Sequence, residues 1–250
     1  MMRSATSIGM AAPLATRDSS VCRISINCRV SNVASIWICL RSLKALNCLA
    51  RRLKALTRED LVELLRGLKP GFVRFPGGCV VEGVTLKNRI QWKNTIGDIA
   101  RRPGRWDLWG YHNTEGLGFH EYLQLCEDLE SEPLYVANAG LSCFYRCAEM
   151  VTNPEELKPY VQDALDAIEY ANGPVTTRWG TERARNGHPK PFNIKYVEIG
   201  NENWGDAYFK NYRPFYDAIK ARYPEIITIA DCPIPDQPVE IIDEHYYVAP

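Results

Sequence analysis

From Thr57 onward, short apolar runs alternate with segments of helical period, and this alternation limits the fold more than any single motif does. The runs Phe72 to Phe75, Leu134 to Asn138, Ile194 to Ile199, Ile226 to Ala230 and Ile241 to Tyr247 are apolar without a strict period of two, as strands covered on both faces are. Between them lie helical patterns. Thr57 to Asp60 reads as a capping box ahead of Leu61, Leu64, Leu65 and Leu68, and Lys69-Pro70-Gly71 stops that helix. Further helices are predicted over Gly118 to Leu129, Pro154 to Ala171 and Tyr208 to Arg222, the second with Leu157, Val161, Leu165 and Ile168 on one face. The result is an α/β chain with a parallel sheet under helices. Pro76-Gly77-Gly78 closes the first strand with no helix signal after it, and an irregular stretch rich in Trp, Gly and Arg runs on to Thr114. Connections of that length are usually functional.

Charge excludes several partners. Thirty basic and thirty acidic residues are mixed along a chain of 250 residues with net charge +0, so no basic stripe suits nucleic acid. The longest apolar run of the first fifty residues, Val33 to Leu40, is too short to span a membrane. Nine cysteines without a C-x-x-C pair give neither a zinc site nor a disulfide framework, and Cys143 and Cys147 read as ordinary thiols. No metal or organic cofactor is expected. Residues 1–56, acid-poor and rich in Ser and Arg, form an unassigned head without visible strand alternation, either a targeting segment or a mispredicted start. Residues 57–250 form the folded unit.

The polar residues fall where the strands end. Val197-Glu198-Ile199-Gly200 runs into Asn201-Glu202-Asn203-Trp204-Gly205, so an apolar strand aims an amide and a carboxyl at its tip, the pair needed to hold a hydroxyl and move a proton. Arg74 with Cys79, Asn138, and His245 with Tyr246 and Tyr247 mark three other strand ends. Catalytic groups gathered from several strand ends favour a closed (β/α)8 barrel of TIM type over an open sheet, for which the Gly-rich phosphate loop is missing. About five strands can be counted where a full barrel has eight. The barrel is therefore expected to be incomplete.

Taken together, Arg74 to Cys79, Trp92 to Gly97, Trp109 to Tyr111, Glu198 to Trp204 and Asp243 to Tyr247 resemble, in order, the signature blocks of the alpha-L-arabinofuranosidases of glycoside hydrolase family 51. The resemblance implies a retaining two-carboxylate glycosidase that removes terminal arabinofuranosyl groups from arabinose-containing polysaccharides. It implies Glu202 as acid/base, Asn201 as the amide at the sugar's 2-hydroxyl, and Arg74 as the holder of the carboxylates. Cys79 and Trp109 are implied to touch the sugar, Asn138 to brace from behind, and His245 with Tyr247 to stand near the nucleophile. Trp92, Tyr111 and Trp204 are further cleft candidates. An extracellular or cell-wall location follows from the resemblance alone.

The family's nucleophile closes a seventh strand, and the chain stops at Pro250 just after the sixth, so the nucleophile is expected to be absent from the chain. Glu244 matches no nucleophile motif. Two alternatives follow: an inactive fragment that at most binds sugar, or another retaining barrel glycosidase acting on beta-linked glucan or xylan. A sheet of about five strands is also expected to leave its edges unpaired and the chain marginally stable.

Overall fold

The computed structural model describes residues 59–246, preceded by the backbone of two strands, β1 (Cys22–Asn27) and β2 (Trp37–Leu40). Tyr247, Thr57 and the rest of the head lie outside the described residues. Five parallel strands form the centre: β3 (Pro70–Phe75), β6 (Glu132–Ala137), β7 (Tyr196–Ile199), β8 (Ile227–Ala230) and β9 (Ile241–Tyr246). They are neighbours in chain order, β3-β6-β7-β8-β9, which makes a half-barrel of the TIM type.

Helices return the chain between strands. α3 (Phe119–Leu129) joins β3 to β6, α4 (Pro154–Asn172) and α5 (Arg178–Arg185) join β6 to β7, and α6 (Gly205–Arg222) joins β7 to β8. Three of the four begin where a side chain satisfies a backbone donor. Asn153 accepts from the Glu155 amide ahead of α4, Thr177 from Gly180 ahead of α5, and Glu121 reaches back to the Gly118 amide at α3.

Strand parity divides the sheet's two faces. Val73, Phe75, Tyr135, Ala137, Val197, Ile199 and Ala230 join the large core shared with Leu123, Ile168, Phe215 and the other helix residues. The alternate positions face the barrel axis, where Leu134, Val136 and Ile229 form a smaller apolar cluster with Val81. Arg74, Glu198 and Asp243 share this inner face and are almost fully buried.

The structure corrects the sequence reading at several points. The head supplies two strands: β1 pairs parallel with β9 and β2 antiparallel with β3, so both edges of the five-stranded centre are covered. Cys22-Arg23-Ile24-Ser25-Ile26-Asn27 does alternate apolar with polar, a signal masked by the head's unusual composition. The Gly77-Gly78 turn is followed by a helical turn, α2 (Cys79–Glu82), too short to show periodicity. The first helix, α1 (Glu59–Leu68), buries Val62 and leaves Leu61, Leu64 and Leu68 exposed. The irregular stretch to Thr114 holds 3-10 turns and a two-stranded ribbon of β4 (Arg105–Trp106) and β5 (His112–Asn113). No helix among the described residues is long and apolar enough to cross a membrane.

Candidate active site

The tip of β7 is held in one conformation from several sides. Gly200 has φ 101, and a Cβ there would lie 2.5 Å from Asp231 Oδ2, so only glycine lets the chain turn so close to that carboxylate. Asp231 Oδ2 accepts from the Asn203 amide at 2.8 Å, and Asn203 Oδ1 accepts from the Asn201 amide at 3.3 Å. The Gly200 amide donates to Ala137 O at 2.8 Å, and Tyr208 caps the strand through Ile199 O at 2.7 Å. Glu202 itself sits in the left-handed region at φ 51. That conformation is costly for a residue with a Cβ and persists where its surroundings over-determine it, as in sites that aim a side chain.

Beneath the tip lies a charged layer. Arg74 grips both oxygens of Glu198, with Nε to Oε2 at 2.7 Å, and its Nη2 also donates to Asn201 Oδ1 at 2.9 Å. Its Nε lies 3.3 Å from Asp243 Oδ2. Burial works against the guanidinium charge, but Glu198 and Asp243 overcome it and hold Arg74 more firmly protonated than usual. Burial likewise pushes the Glu198 carboxyl up, and Arg74, bound to both its oxygens, opposes that rise.

His245 links this layer to Glu202. Its Nδ1 lies 3.0 Å from Glu202 Oε1 and its Nε2 3.2 Å from Asp243 Oδ2. Burial alone would lower the imidazole, yet the bonds to Asp243 and Glu202 dominate and push it up to about 10, so His245 is an imidazolium at neutral pH. In turn, His245 and Arg74 hold Asp243 below its usual range despite burial. Glu244, on the intervening position of β9, points to the opposite face of the strand, and Tyr246 donates to it at 2.7 Å.

Glu82 was missed by the sequence reading, as were Glu198, Asp231, Asn203 and Asp243. From α2 it accepts from Asn201 Nδ2 at 3.3 Å and Asn203 Nδ2 at 3.0 Å. Burial, aided by the negative charge of Glu202 and opposed by the two amides, pushes Glu82 up to about 7. A buried Val-Val-Glu after a glycine turn carries no separate signal. Only the opposite parity of Glu198 between Val197 and Ile199, and of Asp243 next to Ile242, could have marked the inner-facing charges.

The expected residues divide into two groups. Arg74, Asn201, Glu202 and His245 are brought together as described, and Cys79 Sγ comes within 3.9 Å of Glu202 Oε2. Asn138 spends its whole amide on the backbone: Nδ2 reaches Val81 O and Leu141 O, both at 2.9 Å, and Oδ1 accepts from Gly140. Trp109 is exposed in the ribbon turn, with the Arg146 guanidinium 4.9 Å over its ring. Trp92 packs in the core against Phe119, Tyr170 and Trp179, away from the cleft role considered for it. Tyr111 is exposed, whereas Trp204 shares a cleft with Glu202, Asn203, Ser142, Phe144 and Glu149.

Cys143 and Cys147 are the unpaired thiols expected of them. Cys143 is buried and Cys147 exposed, and neither forms a disulfide. Cys143, Cys79 and Glu82 bring ligand-type atoms within 4.8 Å of one another, a set hidden by its sequence spacing. Arg146 Nη1 already donates to Cys143 Sγ at 2.9 Å, which places a positive charge beside these groups. Proton transfer by the strand-end carboxyl needs no metal.

The fold has relatives among known proteins. The alpha-L-arabinofuranosidase 1 domain matches residues 64–250. Alpha-L-arabinofuranosidase 1 of Arabidopsis thaliana is 43% identical over 199 residues, 77% of this chain and 28% of that protein. The extracellular exo-alpha-L-arabinofuranosidase of Streptomyces chartreusis is 38% identical over 221 residues, covering 77% of this chain and 26% of its own length. Among solved structures, an arabinose-bound GH51 alpha-L-arabinofuranosidase aligns with TM-score 0.65 and 40% identity over 69% of this chain and 27% of that one. The Thermotoga maritima alpha-L-arabinofuranosidase, also an arabinose complex, aligns with TM-score 0.54 and 28% identity over 69% and 33%. The chain therefore spans roughly a quarter to a third of the length of these relatives. By the match of its family domain from residue 64 onward, the chain belongs to the alpha-L-arabinofuranosidases.

Proposed function

We propose that this chain carries the acid/base half of a glycoside hydrolase site that releases terminal alpha-L-arabinofuranosyl groups from arabinose-containing polysaccharides. The observation that carries the reading is the placement of Glu202: a carboxyl in a left-handed turn at a strand end, between His245 and Cys79, opening on a cleft. Glu202 passes to the leaving glycosidic oxygen the proton it shares with the bonded His245 imidazolium, and later takes one back from water. Asn201, its Oδ1 fixed by Arg74 and its Nδ2 shared with Glu82, keeps a second amide hydrogen for the sugar's 2-hydroxyl. Arg74 and His245 act by holding Asn201 and Glu202, Asn138 by bracing the loop, while Cys79, Trp109 and Tyr247 are assigned to the sugar's surroundings.

A retaining mechanism needs a second carboxylate about 5 Å from the first. Glu198 and Asp243 are bound to Arg74, and Glu244 faces away, so none of these takes that role. The name of the Streptomyces relative supports an extracellular location.

Titration of the chain with L-arabinose tests the site without requiring turnover. Saturable binding is expected, and Asn201→Ala should weaken it by roughly tenfold, the cost of one hydrogen bond. Hydrolysis of an aryl alpha-L-arabinofuranoside, if measured in parallel, should vanish in Glu202→Gln. A folded chain that binds no arabinose would overturn the assignment.

A further inference from the structure

Glu198 is buried against a guanidinium, whereas the partners of Glu82 are two neutral amides, Asn203 Nδ2 at 3.0 Å from Oε1 and Asn201 Nδ2 at 3.3 Å from Oε2. Both asparagines have already committed their oxygens. Asn201 Oδ1 accepts from Arg74 Nη2 at 2.9 Å, and Asn203 Oδ1 accepts from the Asn201 backbone amide at 3.3 Å. Each therefore turns its NH2 group to Glu82, and a side chain set between two donors must accept at both ends. A carboxylate does so and a glutamine does not. The helical turn α2 that carries Glu82 is fixed from three sides. Val80 O accepts from the Ile90 amide at 3.1 Å and Val81 O from Asn138 Nδ2 at 2.9 Å. Gly83 O accepts at 3.0 Å from the Cys143 amide, in the hairpin that Leu141 and Met150 close after β6. Burying a carboxylate against neutral partners is costly, and such groups gather where a site needs them.

We propose that Glu82 is a positioning residue of the sugar site, clamping the Asn201 and Asn203 side chains so that Glu202 and the remaining N–H of Asn201 are aimed at one sugar. This rests on the reading of Asn201 as the 2-hydroxyl donor and Glu202 as the acid. The two asparagines flank Glu202, whose backbone is left-handed at φ 51, so what fixes its neighbours fixes the direction of its carboxyl. One hydrogen of Asn201 Nδ2 goes to Glu82, and the planar amide then dictates where the other points. Ionised, Glu82 offers a full acceptor to each amide. Protonated, it carries a hydrogen on one oxygen and holds that amide less well. The change falls near neutral pH, because burial and the charge of Glu202 push the carboxyl up to about 7 against the pull of the amides. The titratable groups facing Glu82 are Glu202 from the β7 tip, Cys143 from the hairpin and Cys79 on its own helical turn, with the Arg146 guanidinium beside Cys143. Burial, aided by Glu82, pushes the Cys79 thiol well up, which leaves it uncharged across the same range.

The test titrates the chain with L-arabinose by calorimetry at about pH 5.5 and about pH 8.5, on either side of the Glu82 transition. NMR of the Asn201 and Asn203 side-chain amides across that range runs beside it and needs no variant. Both amide resonances should shift with a common midpoint at about 7, and in Glu82→Gln that shift should be gone. Arabinose should bind several-fold more tightly at the higher pH. Glu82→Gln should bind at about a tenth of that affinity, with the pH dependence removed. Added to Asn201→Ala, the same substitution should change affinity little, since the two residues act through one contact. A residue that only supported the fold would produce neither the shared midpoint nor this lack of additivity. Amides that ignore Glu82, parent affinity in Glu82→Gln, or losses that simply add would each overturn the positioning role. A parent chain that binds no arabinose would sink the functional reading instead, and amides that still titrate with Glu82 would then uphold its clamp on the β7 tip.

Discussion

The two faces of the parallel sheet are made by the same strands and carry opposite chemistry. On the helix side, Val73, Phe75, Val197 and Ile199 are apolar and buried among Leu123, Ile168 and Phe215. On the axis side, one residue away in each strand, Arg74, Glu198, Asp243 and His245 are buried or nearly so and depend on one another for partners. The first face resembles any well-packed core. The second is expensive, since charges taken from water are repaid only when geometry is good and every partner is present. A fold that needed only stability would not build it, and its position directly beneath Asn201 and Glu202 is what gives it a purpose.

The largest expected effect follows from removing the shared cation. Arg74→Met leaves Glu198 and Asp243 buried without their guanidinium and should cost about 3–5 kcal/mol in denaturant unfolding. Replacing the ion pair together, as Arg74→Met with Glu198→Leu, should recover much of that loss, because paired charges exchanged for apolar groups are often close to neutral. The double variant should still lose arabinose affinity, since Asn201 would no longer be fixed. A double variant as unstable as the single one would mean that the inner layer is structural in its own right.

Next in size are the pH effects, which run in opposite directions. Glu82 is raised in the folded state from 4.5 to about 7, so the folded protein holds the proton more tightly than the unfolded chain. Its contribution is present at low pH and is lost as pH rises from about 4.5 through 7, a change of about 3 kcal/mol. Glu82→Gln, which mimics the protonated acid, should flatten the stability curve across that window. His245 is raised from 6.5 to about 10, so its contribution is complete below about 6.5 and is lost as pH rises through about 10. Asp243, held below its usual value, contributes above about 3.8 and loses that contribution as pH falls through its lowered folded value. Stability measured from pH 4 to 10 in the parent, Glu82→Gln and His245→Gln chains separates Glu82 from His245.

The helix-facing surface of the sheet was legible in the sequence because apolar runs and helical periods are local patterns. β3, β6, β7, β8 and β9 and helices α3, α4 and α6 lie within a few residues of where those patterns put them. α5, Arg178-Trp-Gly-Thr-Glu-Arg-Ala-Arg, was missed because it is short and mostly polar, buried through Trp179 and the stem and head of Arg183. The site was half legible. Asn201 and Glu202 stand out as polar residues ending an apolar strand, whereas Glu82 and Glu198 acquire meaning only when α2 and β7 meet Arg74 and Asn201 in space. No local pattern reports a contact between residues 74 and 198, or between 82 and 203.

A smaller effect is expected on the helix-facing side. Ile199→Val removes one buried methylene two positions from Asn201, on the core side of β7, and should cost about 1 kcal/mol through lost burial and a small cavity. Because Ile199 faces away from the charged layer, arabinose affinity should not change. A coupled loss of stability and affinity would show that the two faces are not energetically separable.

The smallest expected effect on stability lies at the rim, outside both faces. Tyr145 is exposed, with its ring against Phe144 and Trp204 and its hairpin held by backbone bonds and by Glu149 rather than by the ring. Tyr145→Ala should therefore stay within about 0.5 kcal/mol of the parent in unfolding, as surface substitutions away from special features do. A melt lowered by more than a few degrees would mean that the three rings support the hairpin itself.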